Sequence, residues 1–154
     1  MIGGTSETAD RVHDALAILL DREVNLLKGL RHRMALLRLA LLDGDPGVAQ
    51  LATKDVVAAT EFLADLAEER ETTLSGMLGA GQPPIEIDDI AITAPDTHKA
   101  VLGRLVAERR TEVRLVEALR DSTKSIAEEG KRSVTGLLDL RGGPDGPTII
   151  TGGL

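Results

Sequence analysis

LLDGDPGVAQL, residues 41 to 51, decides the fold. It separates two segments rich in Leu, Ala, Glu and Arg with five consecutive residues, Asp43 to Gly47, that disturb a helix in different ways. Glycine takes the left-handed backbone that ends a helix, which suits Gly44. The Asp45 carboxylate is placed to cap the first amides of a new helix. Pro46 suits the first helical position, where its missing N–H costs nothing. The stretch reads as a stop, a tight turn and a start. So short a break permits only a reversal or a sharp kink, and reversal is favoured, giving an antiparallel helical hairpin.

Working outward, the first helix spans about 8–42, with Ser6 or Thr8 expected to cap it. Val12, Leu16, Leu19, Leu26, Leu30, Leu37 and Leu41 follow 3–4 spacing, and Glu23 and Arg33 or Met34 fill the remaining steps. A neighbouring stripe of Leu20, Val24, Leu27 and Met34 widens the apolar face, which predicts two helical partners. The second helix spans about 46–78. Val48, Ala52, Val56, Ala59, Leu63, Leu66, Arg70, Leu74 and Met77 share one face, and Gly79 is a natural stop.

Residues 79–95 form a crossover in which Pro83, Pro84 and Pro95 exclude a continuous helix. IEIDDIAI has no second strand to pair with. It is expected to be extended or a single turn, with Ile85, Ile87, Ile90 and Ile92 docked on the hairpin. The third helix opens at Asp96 as a cap and runs to about residue 140. Its face carries Leu102, Leu105, Val116, Leu119, Ile126, Val134 and Leu137 at heptad spacing, interrupted by Arg109, Glu112, Thr123 and Gly130. Gly130 costs roughly 1 kcal/mol relative to alanine. Residues 142–154, GGPDGPTIITGGL, are expected to form a flexible tail. The expectation is a single all-α domain, a hairpin plus a third long helix in an elongated, coiled-coil-like three-helix bundle.

The predicted lengths do not match. At 1.5 Å per residue the first two helices reach roughly 50 Å and the third nearly 70 Å. About three turns of the third helix should therefore outrun the hairpin, leaving an imperfect apolar stripe exposed as a binding surface.

Composition supports this reading. Of 154 residues, 42% are apolar, yet there is one Phe and no Trp, Tyr or Cys, so narrow helix–helix seams are expected rather than an aromatic-filled core. Lack of cysteine excludes disulfides and thiolate chemistry. A net charge of −7 and the lack of stacking aromatics argue against nucleic-acid binding. There is no membrane-spanning apolar run, and MIGGTSETAD has neither the basic start nor the apolar stretch of a signal peptide, so a cytoplasmic protein is expected. Residues 46–78 hold two basic and six acidic side chains, and residues 96–141 hold ten basic and eight acidic. The simplest expectation is charge complementarity between the second and third helices. The alternative is that the basic helix steers an acidic partner.

No catalytic constellation is visible, and neither enzyme activity nor a cofactor is expected. Asp10 and His13 supply only half of the ligand set that a di-metal bundle needs. Gly76–Gly81 follows a helix and precedes Gln-Pro-Pro, so it is a terminator rather than a phosphate cradle. Glu68-Glu69 and Asp88-Asp89 are adjacent pairs that diverge by about 100° on a helix.

The order of a Leu-rich helix, an Asp-containing break and LATKDVVAATEFLADLAEERETTLSGMLG, residues 51–79, resembles the FlgN-type flagellar export chaperones. The resemblance rests on Leu51 and Lys54 after the break, the acidic run ending in Arg70, and Leu74 with Met77-Leu78-Gly79. A polar crossover, a third long helix and the closing GGPDG at 142–146 extend it over most of residues 10–146. The chain departs from the pattern in lacking mid-seam Asn on its third helix. The resemblance implies a cytosolic chaperone that binds flagellar hook-associated (hook–filament junction) proteins before secretion, capturing an amphipathic C-terminal helix of the cargo with its own C-terminal portion. The partner-binding candidates on the third helix are Leu115, Val116, Leu119, Ile126, Val134, Leu137 and Leu138. A structural homo-oligomer using the same seam is the reading from a different class.

Overall fold

A computed structural model describes residues 3–79, 81, 83 and 85–141, with the side chains of 3–6, 77, 78 and 133–141 excepted. Four helices follow one another: α1 (Gly3–Asp43), α2 (Pro46–Leu78), α3 (Ile87–Thr93) and α4 (Asp96–Arg141). No strand occurs among the described residues. The expected tail, 142–154, lies outside them.

The break between α1 and α2 is built as its residues dictate. Gly44 has φ 77°, and its N–H donates to the Ala40 carbonyl at 3.2 Å. Asp45 is extended, and its Oδ1 accepts from the amides of Gly47 (2.9 Å) and Val48 (3.2 Å), with Pro46 beginning the helix. Two amides left without partners by the helix start are thereby satisfied. Gly79 ends α2 at φ 79°, donating to the Ser75 carbonyl.

Three local expectations are corrected. Ser6 and Thr8 lie inside α1, which already runs from Gly3; a hydroxyl residue caps only where the backbone before it leaves the helix. Asp96 is the first residue of α4 rather than its cap. The Pro95 carbonyl accepts the first intrahelical bonds, from His98 and Lys99, both at 2.9 Å. Asp96 thus stands where the positive end of the helix dipole favours an acid.

The crossover contains the seven-residue α3 rather than an extended stretch or a single turn. Asp88 and Asp89 occupy its first turn, and helical winding puts Ile87, Ile90 and Ala91 against the neighbouring core. Ile90 is buried, but Ile92 faces solvent at 69% exposure because it falls on the opposite side of the turn.

α1 lies between α2 and α4 and packs on both, as its double stripe predicts, whereas α2 and α4 do not pack extensively on each other. Contacts of Glu23 with Arg70, and of Leu30 and Met34 with Ala59, run antiparallel. Contacts of Asp14 with His98, Arg31 with Glu112 and Arg38 with Ser122 run parallel. α2 therefore returns alongside α1, and α4 climbs beside it again.

The lower core joins Leu16 and Leu20 to Leu74, Ile90, Leu102 and Leu105. The upper core joins Leu30 and Met34 to Ala59. Leu16, Leu20 and Leu102 are fully enclosed, each contributing about 1.5–3 kcal/mol.

Between the two cores lies a polar node. The Glu23 carboxylate accepts from Arg70 of α2 on one oxygen and from Arg109 of α4 on the other, the latter at 2.7 Å. Glu23 and Arg70 are buried, so one carboxylate ties three helices together. The Arg70 Nε, also buried, has no protein partner.

Candidate partner-binding surface

The site residues expected from the sequence lie along α4 from near its middle onward, and the structure treats them differently. Val116 and Leu119 are half-buried and already packed against the upper core. Leu115 is exposed, at 42%, and Ile126 is half-buried. Val134, Leu137 and Leu138 lie on helical backbone of α4, but their side chains are outside those described.

The register of α4 against α1 sets what is covered. Arg38 Nε donates to Ser122 Oγ at 3.0 Å, and α1 ends five residues later at Asp43. α4 therefore outruns the hairpin by about 14 residues, or roughly 21 Å. Residues 127–132 are all exposed, as that geometry requires.

Below the overhang, α1 and α4 enclose an open groove of about 670 Å³. Leu115, Ala118 and Leu119 line it from α4, and Lys28, Arg31, His32, Ala35 and Arg38 line it from α1. Arg31 is held to Glu112 at 2.8 Å, Lys28 reaches Glu108 only at 3.9 Å, and Arg38 has a hydroxyl partner, Ser122. No carboxylate lines the groove itself. It continues past Arg38 and Ser122 to Ile126, Glu128, Glu129 and Arg132 at the base of the overhang.

The α1 side of this groove was not among the expected site residues. Its signal was present as Lys28, Arg31, His32 and Arg38 within one leucine-rich helix, but periodicity assigned that helix to the scaffold.

Two further expectations are corrected. The polar interruptions of the α4 face do not form a loosened, exposed seam. Glu112 and Thr123 are buried; Glu112 pairs with Arg31 and Arg109 with Glu23, so the two charged side chains close the bundle, while the Thr123 hydroxyl has no protein partner. Direct charge complementarity between the second and third long helices is also not what the structure contains. Among the described residues, the ion pairs that α4 makes with other elements reach α1 and α3 (Arg110 with Asp88, 2.9 Å), and charge joins α2 to α4 only by way of Glu23 on α1.

Asp10 and His13 do not converge. His13 Nδ1 faces the Ala9 carbonyl at 2.6 Å, while Asp10 and Asp14 face His98, Asp14 at 2.7 Å. Among the described residues no group of three or more His, Asp or Glu side chains is arranged to hold a metal ion. No helix among them is long and apolar enough to cross a membrane.

No protein-family model matches the chain, and no curated protein or solved structure matches it.

Proposed function

We propose that the chain is a non-enzymatic export chaperone of the FlgN kind, an elongated coiled-coil-like three-helix bundle acting in the cytoplasm. In this reading it binds an amphipathic C-terminal helix of flagellar hook-associated proteins before type III secretion. The observation that carries the reading is the overhang of α4 beyond the hairpin, continuous with the groove lined by Leu115, Leu119 and Ile126. A helix bound there hides the cargo's apolar stripe until export, the helix-in-groove mode of recognition. The bundle itself is closed by the Glu23 node and the Arg31–Glu112 pair, so release requires only that the cargo leave α4.

The test is a titration with C-terminal helix peptides of hook-associated proteins, alongside thermal melts. Val134→Asp with Leu138→Asp is expected to cost under about 1 kcal/mol of stability, as surface substitutions do, while weakening binding sharply because charge enters an apolar contact. Leu19→Asp, on the buried stripe, is expected to damage folding itself. A double variant that melts as badly as the Leu19 control sinks the mechanism, and so does an intact chain that binds none of the peptides.

A homo-oligomeric bundle or adaptor is the second reading, favoured by Leu42 and Leu51, exposed at 58% and 65% near the hairpin tip. A concentration-independent dimer in sedimentation, with no affinity for cargo helices, selects it.

A further inference from the structure

The seam between α1 and α2 carries a second groove, formed by two open depressions that follow one another along it and independent of the reading above. Both walls repeat at helical-seam spacing. α1 supplies Arg22, Leu26, Arg33, Leu36 and Ala40; α2 supplies Val48, Ala52, Asp55, Phe62, Leu66 and Glu69. Steps of three, four and seven residues on two antiparallel walls are what a third helix laid between them follows without losing register.

The floor is apolar and unusually open to solvent. Leu36, Leu39 and Val48 are each at least half exposed at the upper end, and Phe62, the only aromatic residue of the chain, is 64% exposed lower down. At the waist Gly29 contributes no side chain, and the Arg33 guanidinium lies over it.

The two rims differ in charge. Asp55, Asp65 and Glu69 stand on the α2 rim, while Arg22 and Arg33 stand on the α1 rim, whose one acid is Asp43 at the end of the helix. The α2 rim belongs to a wider acidic surface: its six acids are all exposed, and its one exposed base is Lys54, since Arg70 is buried against Glu23. An acidic rim of this kind repels an anionic membrane and selects a cationic flank.

We propose that this groove seats a fourth helix supplied by another protein. The helix is amphipathic and about 20 residues long, matching the roughly 30 Å between Arg22 and the end of α1. It carries Lys or Arg on the flank that meets α2 and Asp or Glu on the flank that meets α1.

Two synthetic helical peptides of about 21 residues are the probes, both with a leucine stripe at 3–4 spacing. One has lysines on one flank and glutamates on the other; the second has glutamates on both. Fluorescence anisotropy is expected to show the intact chain binding the mixed peptide at least about 10-fold more tightly. Asp55→Lys, Asp65→Lys and Glu69→Lys together make both rims basic and are expected to invert that order. Leu36→Asp with Phe62→Asp alters two exposed side chains, so helical content and melting should hold while binding of both peptides is lost. Equal binding of the two peptides, an order unchanged in the triple variant, or binding that survives the Leu36 and Phe62 changes overturns the proposal. A free chain that dimerises, with Phe62→Asp dissolving the dimer, places a second copy in the groove and also overturns it.

Discussion

Glu23 occupies a step of the α1 stripe that hydrophobic periodicity reserves for leucine, and its environment explains why it is tolerated. Taking a carboxylate out of water costs several kcal/mol, which only close, well-directed partners offset. Here each oxygen has a guanidinium, from Arg70 and from Arg109. Removing the carboxylate alone leaves two cations facing each other in the interior. Glu23→Ala is therefore expected to cost about 3–5 kcal/mol, measured by urea unfolding. Glu23→Leu with Arg70→Met and Arg109→Leu is expected to be as stable as the parent or more so, because apolar packing replaces a pair that mainly offsets its own desolvation. A Glu23→Ala loss below about 1 kcal/mol shows the arginines finding water or other partners, and the node as described is then wrong. The three residues were visible beforehand as polar members of otherwise apolar faces. Their convergence was not, because they lie 47 and 86 positions apart in sequence.

At the scale of elements, the turn at 43–47 and the short α3 teach opposite lessons. The turn is local chemistry: a glycine with positive φ, a carboxylate on two amides and a proline at the first helical position act within a few residues. Asp45→Ala is expected to cost about 1 kcal/mol by freeing those amides. Replacing residues 43–47 with alanines is expected to join α1 and α2 into one continuous helix and to yield domain-swapped dimers in sedimentation. A compact monomer of unchanged stability rules the turn out as the cause of the hairpin. α3, by contrast, has a pattern that fits either a strand or a helix. Ile87, Ile90 and Ala91 suit a helical face only because a core waits for them beside Leu16, Leu20 and Leu102.

For the molecule as a whole, the mismatch in length between α4 and the hairpin sets the distribution of stability. Below residue 127 α4 shares two cores and the Glu23 node with its neighbours; above it, the described side chains face solvent. A helical segment without tertiary contacts has little stability of its own in water. Hydrogen exchange of the free chain is therefore expected to be slow in α1 and in α4 up to about residue 126, and fast from about residue 128 onward. Saturating cargo helix is expected to slow the latter. Uniform protection along α4 in the free chain means the overhang is covered, and the proposed surface is then not free to bind.

What residue types and spacing determined by themselves is everything that acts over a few residues or repeats along a helix. The hairpin turn, the glycine stops at 44 and 79, the two partners of α1 and the excess length of α4 are of this kind, because caps, backbone preferences and periodic apolar faces are short-range. The tertiary structure decided what depends on azimuth and register between helices. It turned Arg109, Glu112 and Thr123 inward, drew the charges of α4 to α1 and α3 rather than to α2, and left Ile92 outside. It also aligned the walls of both grooves. A rotation of about 100° per residue separates a buried face from an exposed one, and only the packing of α2 and α4 on α1 selects which face that is.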